Sequence, residues 1–181
     1  MLFDISKGTG NEAMLTAATL NNAAGLLGES LTDIRAVCVH PAVFTNLRNQ
    51  NLITTMQVGQ TRTLFNTYGD YLIFVDKNMP VEGDADTGYT YTSFLYGSNV
   101  FSFNYGNPGV EYEIDRDPAS GNGAGEEILY TRRCDVVLPR GYQTILTEGT
   151  GLSIAKLSNA ATWNRVWERE YIKFAAVKSK G

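Results

Sequence analysis

The chain has 181 residues, with 15 Lys+Arg against 19 Asp+Glu for a formal net charge of −4, and it is 43% hydrophobic and 19% charged. That balance fits one globular domain with a real core and excludes a disordered chain, while net negative charge argues against gripping phosphate backbones by counterion release. A single His and two Cys leave little material for a metal centre or an activated nucleophile, so enzyme readings start at a disadvantage.

Tyr 10, Phe 8 and Gly 18 lean toward strands joined by tight turns. The opening Met1-Leu-Phe-Asp-Ile-Ser-Lys7 has no basic stretch followed by an apolar run, so no signal peptide is read there. Residues 1–14, with Gly8-Thr-Gly10, read as a loose lead-in. Leu15, Leu20, Ala23, Ala24 and Leu27 recur at helical spacing, with Thr16 as cap and Gly28 as stop. Ile34–Val39 is a strand with Val37 and Val39 on one face; His40-Pro41 then opens a second helix, with Val43, Phe44 and Leu47 as its buried stripe and Asn49-Gln-Asn51 as its end.

From there to about residue 146 the texture is β-rich. Thr63-Leu-Phe65 and Tyr71–Val75 form a hairpin across Tyr68-Gly69-Asp70, and the apolar run at Tyr71–Val75 is far too short to span a bilayer. Tyr89–Tyr96 and Val100–Tyr105 are strands around Gly97-Ser-Asn99, which is a turn or a short helical piece. Val110–Ile114 alternates, as does Glu127–Arg132, which is expected to run on into Val136-Val-Leu138; Pro118–Gly125 is the long loop of a hairpin. A short amphipathic piece (Leu152, Ala155, Leu157) precedes Ser158–Trp163, and Tyr171–Val177 is a strong final strand. Helix–strand–helix followed by many strands means α+β, with mixed or antiparallel sheets and a few flanking helices.

Each feature that hints at chemistry has a plainer reading beside it. Any acid/base mechanism must run through His40, yet its place before Pro41 suits a cap or a packed side chain. Glu82-Gly-Asp84-Ala-Asp86-Thr-Gly88 has the acids of a calcium loop without its distal bidentate Glu, and reads as a solvated turn. Gly121, Gly123 and Gly125 are followed by Glu126-Glu-Ile-Leu, not by a helix N-terminus, so a phosphate cradle fails. Arg132, Arg133 and Arg140, and Arg165 with Arg169, stand near Glu126, Glu127, Asp135, Glu168 and Glu170, which favours ion pairs or subunit contacts over nucleic acid. Trp163 and Trp167 are spaced to share a helix face, as core or as an interface anchor. Cys38 and Cys134 lie in apolar surroundings that suit buried free thiols; no spacing rule supports a disulfide between them. No catalytic, cofactor-binding or metal-ligating residue is expected, and no cofactor.

Several phrases, taken together, resemble the major capsid (coat) proteins of tailed phages. These are His40-Pro-Ala-Val-Phe-Thr-Asn-Leu-Arg-Asn-Gln-Asn-Leu-Ile53, Phe74-Val-Asp-Lys-Asn-Met-Pro-Val81 and Tyr91-Thr-Ser-Phe-Leu-Tyr-Gly97 with Val100-Phe101. Glu113-Ile-Asp-Arg-Asp-Pro118, Tyr130-Thr-Arg-Arg133, Leu138-Pro-Arg-Gly141 and Asn159–Ile172 follow in the family's order, with Leu138 where members often have a His. The resemblance runs from about residue 15 to the end. It implies a Hong Kong 97-type fold as a single capsid-type domain over 1–181: a lead-in at 1–14, a mostly A-domain-like part with some P-domain over about 15–150, and a C-terminal segment over about 151–181 returning to the body. It implies a chain without the family's N-terminal arm, extended loop and spine helix, either a piece of a longer protein or the product of a shortened gene such as a decayed prophage's. The implied role is a structural, non-enzymatic subunit that assembles with itself into pentamers and hexamers of a DNA-enclosing shell. Scaffold, portal and maturation protease are implied partners, with no specific nucleic-acid or membrane binding. The implied location is the virion capsid, and the host cytoplasm during assembly. An encapsulin-like compartment shell and a small β-rich ligand-binding module are the alternatives.

Overall fold

A computed structural model of the chain describes residues 1–58, 63–86, 88–145 and 153–180, with side chains except at 58, 63 and 64. Its strands are β1 (Leu2–Asp4), β2 (Ile34–Val39), β3 (Thr54–Val58), β4 (Thr63–Tyr68), β5 (Tyr71–Val75), β6 (Val81–Glu82) and β7 (Thr90–Gly97). They continue with β8 (Phe101–Gly106), β9 (Tyr112–Asp117), β10 (Glu126–Thr131), β11 (Cys134–Pro139), β12 (Tyr142–Thr144), β13 (Trp163–Arg165) and β14 (Phe174–Ser179). The helices are α1 (Ala17–Gly25), α2 (Pro41–Asn49) and the single turn α3 (Ile154–Leu157).

The main sheet runs β1-β14-β7-β2-β5-β4-β3, with β6 added along β7. β1/β14 and β2/β5 are parallel and the other pairs antiparallel, so the α+β expectation of a mixed sheet with flanking helices is borne out. The strand period of two sorts side chains onto two faces. On one face Val37 and Val39 of β2, Ile73 of β5, Leu95 of β7, and Ala175 and Val177 of β14 pack with Leu20, Ala23 and Ala24 of α1 and Val43 and Leu47 of α2. That cluster is the core. At the sheet's corner Lys173 donates to Asp33, and Gly97 lies so near that a Cβ there would meet Lys173 Cβ at 2.6 Å. No larger residue fits that crossing.

Local chemistry sets the helix ends. Thr16 Oγ1 accepts from Thr19 N at 3.3 Å while Thr19 Oγ1 accepts from Thr16 N at 2.7 Å, a reciprocal box that satisfies two otherwise unpaired donors. His40 Nδ1 accepts from Ala42 N at 3.2 Å, and Pro41 fills the first helical position, where its missing N–H has no partner to lose. The His40 ring stacks on Tyr91 at 4.7 Å. Gly69 takes φ +54° in the β4–β5 turn of the expected hairpin, whose first strand runs on to Tyr68 and pairs it with Tyr71.

The structure departs from the sequence reading in several places. The lead-in carries β1, which pairs Leu2 with Ala176 and Asp4 with Lys178, because β14 would otherwise expose a full edge. β3, on β4, has no counterpart among the predicted strands, its Thr-Thr-Met-Gln being too polar to stand out. Glu127–Arg132 does not run on as one strand: the ladder breaks at Arg132 and Arg133, and β10 and β11 pair with different partners. The strand expected at Val110–Ile114 is shifted to Tyr112–Asp117. Trp163 and Trp167 share no helix, since Trp163 begins β13, and its indole N–H donates to the Leu157 carbonyl at 3.0 Å. Cys134 is exposed and not buried, because β11 has no second layer over it; Cys38 is half-buried, and both thiols are free. Leu152 lies outside the described residues.

Candidate assembly surface

After β7 the chain leaves the sheet. β8 pairs with β11 (Phe101↔Pro139 to Gly106↔Cys134), and β9 pairs with β10 (Tyr112↔Thr131 to Asp117↔Glu126). Between the two ladders Arg132 N donates to the Glu111 carbonyl at 2.9 Å, which carries one continuous two-stranded arm past the break. At the far end Gly121, Gly123 and Gly125 all have positive φ, the turn chemistry that closes the loop.

Register divides the distal arm into two unlike faces. Tyr112, Ile114 and Arg116 share one face with Leu129 and Glu127, the Arg116–Glu127 pair lying at 3.5 Å. Glu113, Asp115 and Asp117 share the other with Tyr130, Ile128 and Glu126. Residues 112–131 hold five carboxylates against one arginine, a net of −4 that equals the formal net charge of the whole chain. The apolar side chains among them are open to solvent, with Tyr112 71%, Ile114 69% and Leu129 61% exposed. The distal arm is thus both acidic and uncovered.

Its foot is the opposite. Phe101, Tyr142, Trp163, Ile172 and Phe174 line a cavity of about 440 Å³ with Arg140 and Arg165 at its edge. Arg140 Nε donates to Ser102 Oγ at 2.9 Å, and among the described residues no carboxylate pairs with either arginine. The cavity continues onto the sheet face that carries no helix. There Phe94 stacks on Phe174 at 5.3 Å, Tyr96 meets Phe174 at 5.4 Å and Phe101 at 5.7 Å, and Phe74 stays 50% exposed. Burial, with a smaller contribution from Cys38, pushes the Tyr96 hydroxyl up to about 12.

Of the residues singled out in the sequence, Arg140, Trp163 and Arg165 meet around this cavity, and the others are dispersed. His40 is occupied as cap and stacking partner. Glu82 takes Lys178 Nζ on both oxygens at 2.6 and 2.7 Å, and the Asp84 carboxylate accepts from Asp86 N at 3.0 Å, so this turn is held together internally. Arg132 bonds Glu113 at 2.6 Å and Arg133 bonds Asp135 at 2.7 Å, both on the arm, as ion pairs of the kind expected there. Sequence reading missed the arm as a unit and the cavity at its foot. The signal was present in Glu127–Thr131, where Ile128, Leu129 and Tyr130 put apolar side chains on both faces, a pattern with no single buried side. Among the described residues no helix is long and apolar enough to cross a membrane.

No protein-family model matches the chain. Among solved structures it is similar to a chain of the holo-SrpI encapsulin complex from Synechococcus elongatus PCC 7942. That match has 10% identity and a TM-score of 0.47, and covers 97% of this chain and 51% of that one. It is 32% identical over 173 residues to the major capsid protein of Bacillus phage SPP1, a match that covers 93% of this chain and 52% of the relative's length. The chain therefore spans about half of the relative it matches. That identity, along nearly the whole chain, is a similarity to a phage major capsid protein.

Proposed function

We propose that the protein is a structural subunit of a phage or prophage capsid, with a Hong Kong 97-type fold, whose copies assemble with one another into the rings of an icosahedral shell around DNA. The observation that carries this reading is the 32% identity to a phage major capsid protein along 93% of the chain. It sides with the phage shell over the compartment-shell alternative. In this reading residues 1–181 form one capsid-type domain, and the finished protein resides in the virion after assembly in the host cytoplasm. Scaffold, portal and maturation protease are partners of the same kind of assembly. The reading needs no catalytic residue. Shell contacts must suit rings of five and of six, so each is moderate, and the closed array supplies the strength.

The full gene product, purified and viewed in negative stain with light scattering alongside, tests the proposal. Rings or closed shells of uniform size are expected. A product that stays monomeric at high concentration overturns it.

A further inference from the structure

We infer that the acidic face of the distal arm in one copy docks into the arginine-edged aromatic cavity at the foot of the arm in a second copy. This rests on the self-assembly reading above and specifies the surfaces that carry it. The first support is charge: residues 112–131 hold the chain's entire net charge of −4, while Arg140 and Arg165 edge the cavity with no carboxylate partner among the described residues. The second is shape and polarity. Ile128 and Tyr130 project from the same face as Asp115, Asp117 and Glu126, so an apolar pair flanked by carboxylates meets an apolar cavity flanked by guanidiniums. Arg–carboxylate pairs at the edge of a desolvated aromatic patch are the usual composition of strong interface centres.

The occupant is a second copy because the arm cannot serve its own foot. From Phe101 in the cavity wall to Asp115 opposite Ile128, the arm's contour is at most about 48 Å at about 3.4 Å per residue. The β8–β11 ladder covers the first part of that span and the β9–β10 ladder its last part. The contact is head-to-tail, arm to foot, which closes into a ring when the rotation between copies allows it.

Sedimentation velocity on the whole chain across a concentration series tests the inference, with two charge-reversed variants: Asp115→Lys with Glu126→Lys on the arm, and Arg140→Glu with Arg165→Glu at the foot. Circular dichroism and melting confirm that each is folded, which their exposed positions favour. Each variant alone is expected to associate about tenfold more weakly than the parent, or worse. An equimolar mixture of the two is expected to regain association, because each then finds a matching surface on the other. Raised salt should weaken the parent. Ile128→Ser with Tyr130→Ser, which changes no charge, is expected to weaken association as well. Variants that associate like the parent, or a mixture that regains nothing, overturn the inference. If the reversed variants still give the parent's rings or shells in negative stain, or if the parent and every variant stay monomeric, the arm-to-foot contact falls; the capsid reading falls with it only where the full gene product stays monomeric too.

Discussion

The two halves of this protein use the same strand chemistry to opposite ends. In the main sheet, β2 and β7 are central strands with a helical layer over one face, and Val37, Val39 and Leu95 are sealed from water. In the arm, β9 and β10 have one neighbour each and no layer, and all of their residues are exposed. An isolated two-stranded ribbon is marginally stable by itself, so the arm owes its order to its root in the sheet, and its apolar side chains contribute little to folding. The difference teaches where packing ends: a helical layer fixes the sheet, whereas the apolar side chains of β9 and β10 stay open to solvent.

Truncation at matched positions sharpens the contrast most. Leu95 lies between β2 and β14 at 0% exposure, so Leu95→Ala is expected to cost about 2–5 kcal/mol of unfolding free energy. Ile114→Ala, at 69% exposure, is expected to fall within about 0.5 kcal/mol of the parent. Urea unfolding measures both, and similar losses at the two sites would erase the distinction.

His40 tests whether a chemically suggestive residue belongs to the sheet's architecture. His40→Ala removes the acceptor for Ala42 N and the stack on Tyr91, and about 1–2 kcal/mol of destabilisation is expected. His40→Asn, which restores a side-chain cap without the ring, should recover part of it.

The uncovered face of the sheet gives a pH signature. Tyr96 is held up to about 12 by burial, against 10 for an ordinary tyrosine, so the unfolded chain loses this proton first as pH rises. Its contribution to stability is complete below pH 10 and is lost as pH climbs toward 12. Tyr96→Phe should flatten that alkaline loss in melts taken across the range. Asp33 shows the reverse sign. The hydrogen bond and charge of Lys173 lower its carboxyl, so its contribution is present above the ordinary carboxylate range and is lost as pH falls through the lowered value. Asp33→Asn should therefore reduce the acid sensitivity of the fold.

The sheet was legible in the sequence where one period ruled. Val37 and Val39 share the core face of Ile34–Val39 and the His-Pro after it suits a helix start, so β2 and the first residue of α2 were read correctly. The Tyr68-Gly69-Asp70 turn needs a positive φ that Gly supplies, which made that hairpin legible too. The pairing of β1 with β14 was hidden, since Leu2-Phe-Asp4 is too short to show a period and its partner is more than 170 residues away. The arm was legible strand by strand and illegible as a unit: no residue spacing tells that β8–β11 and β9–β10 follow one another along one ribbon. The cavity at its foot was beyond periodicity altogether, because Phe101, Trp163 and Phe174 come from three separate strands.

The least change is expected from a residue that sits inside the core without belonging to its chemistry. Ser93, on β7 opposite Val177, is at 0% exposure, and its hydroxyl has no hydrogen-bond partner among the described residues. A buried hydroxyl left unpaired costs about 1–3 kcal/mol, whereas removing one oxygen atom opens very little space. Ser93→Ala should thus leave stability unchanged or raise it by up to about 1 kcal/mol, the opposite sign from Leu95→Ala two residues along the same face. A clear loss on thermal or urea unfolding would mean that the hydroxyl is paired in solution. The core face of β7 would then be satisfied throughout, like the strands beside it, and would not carry the tolerated defect described here.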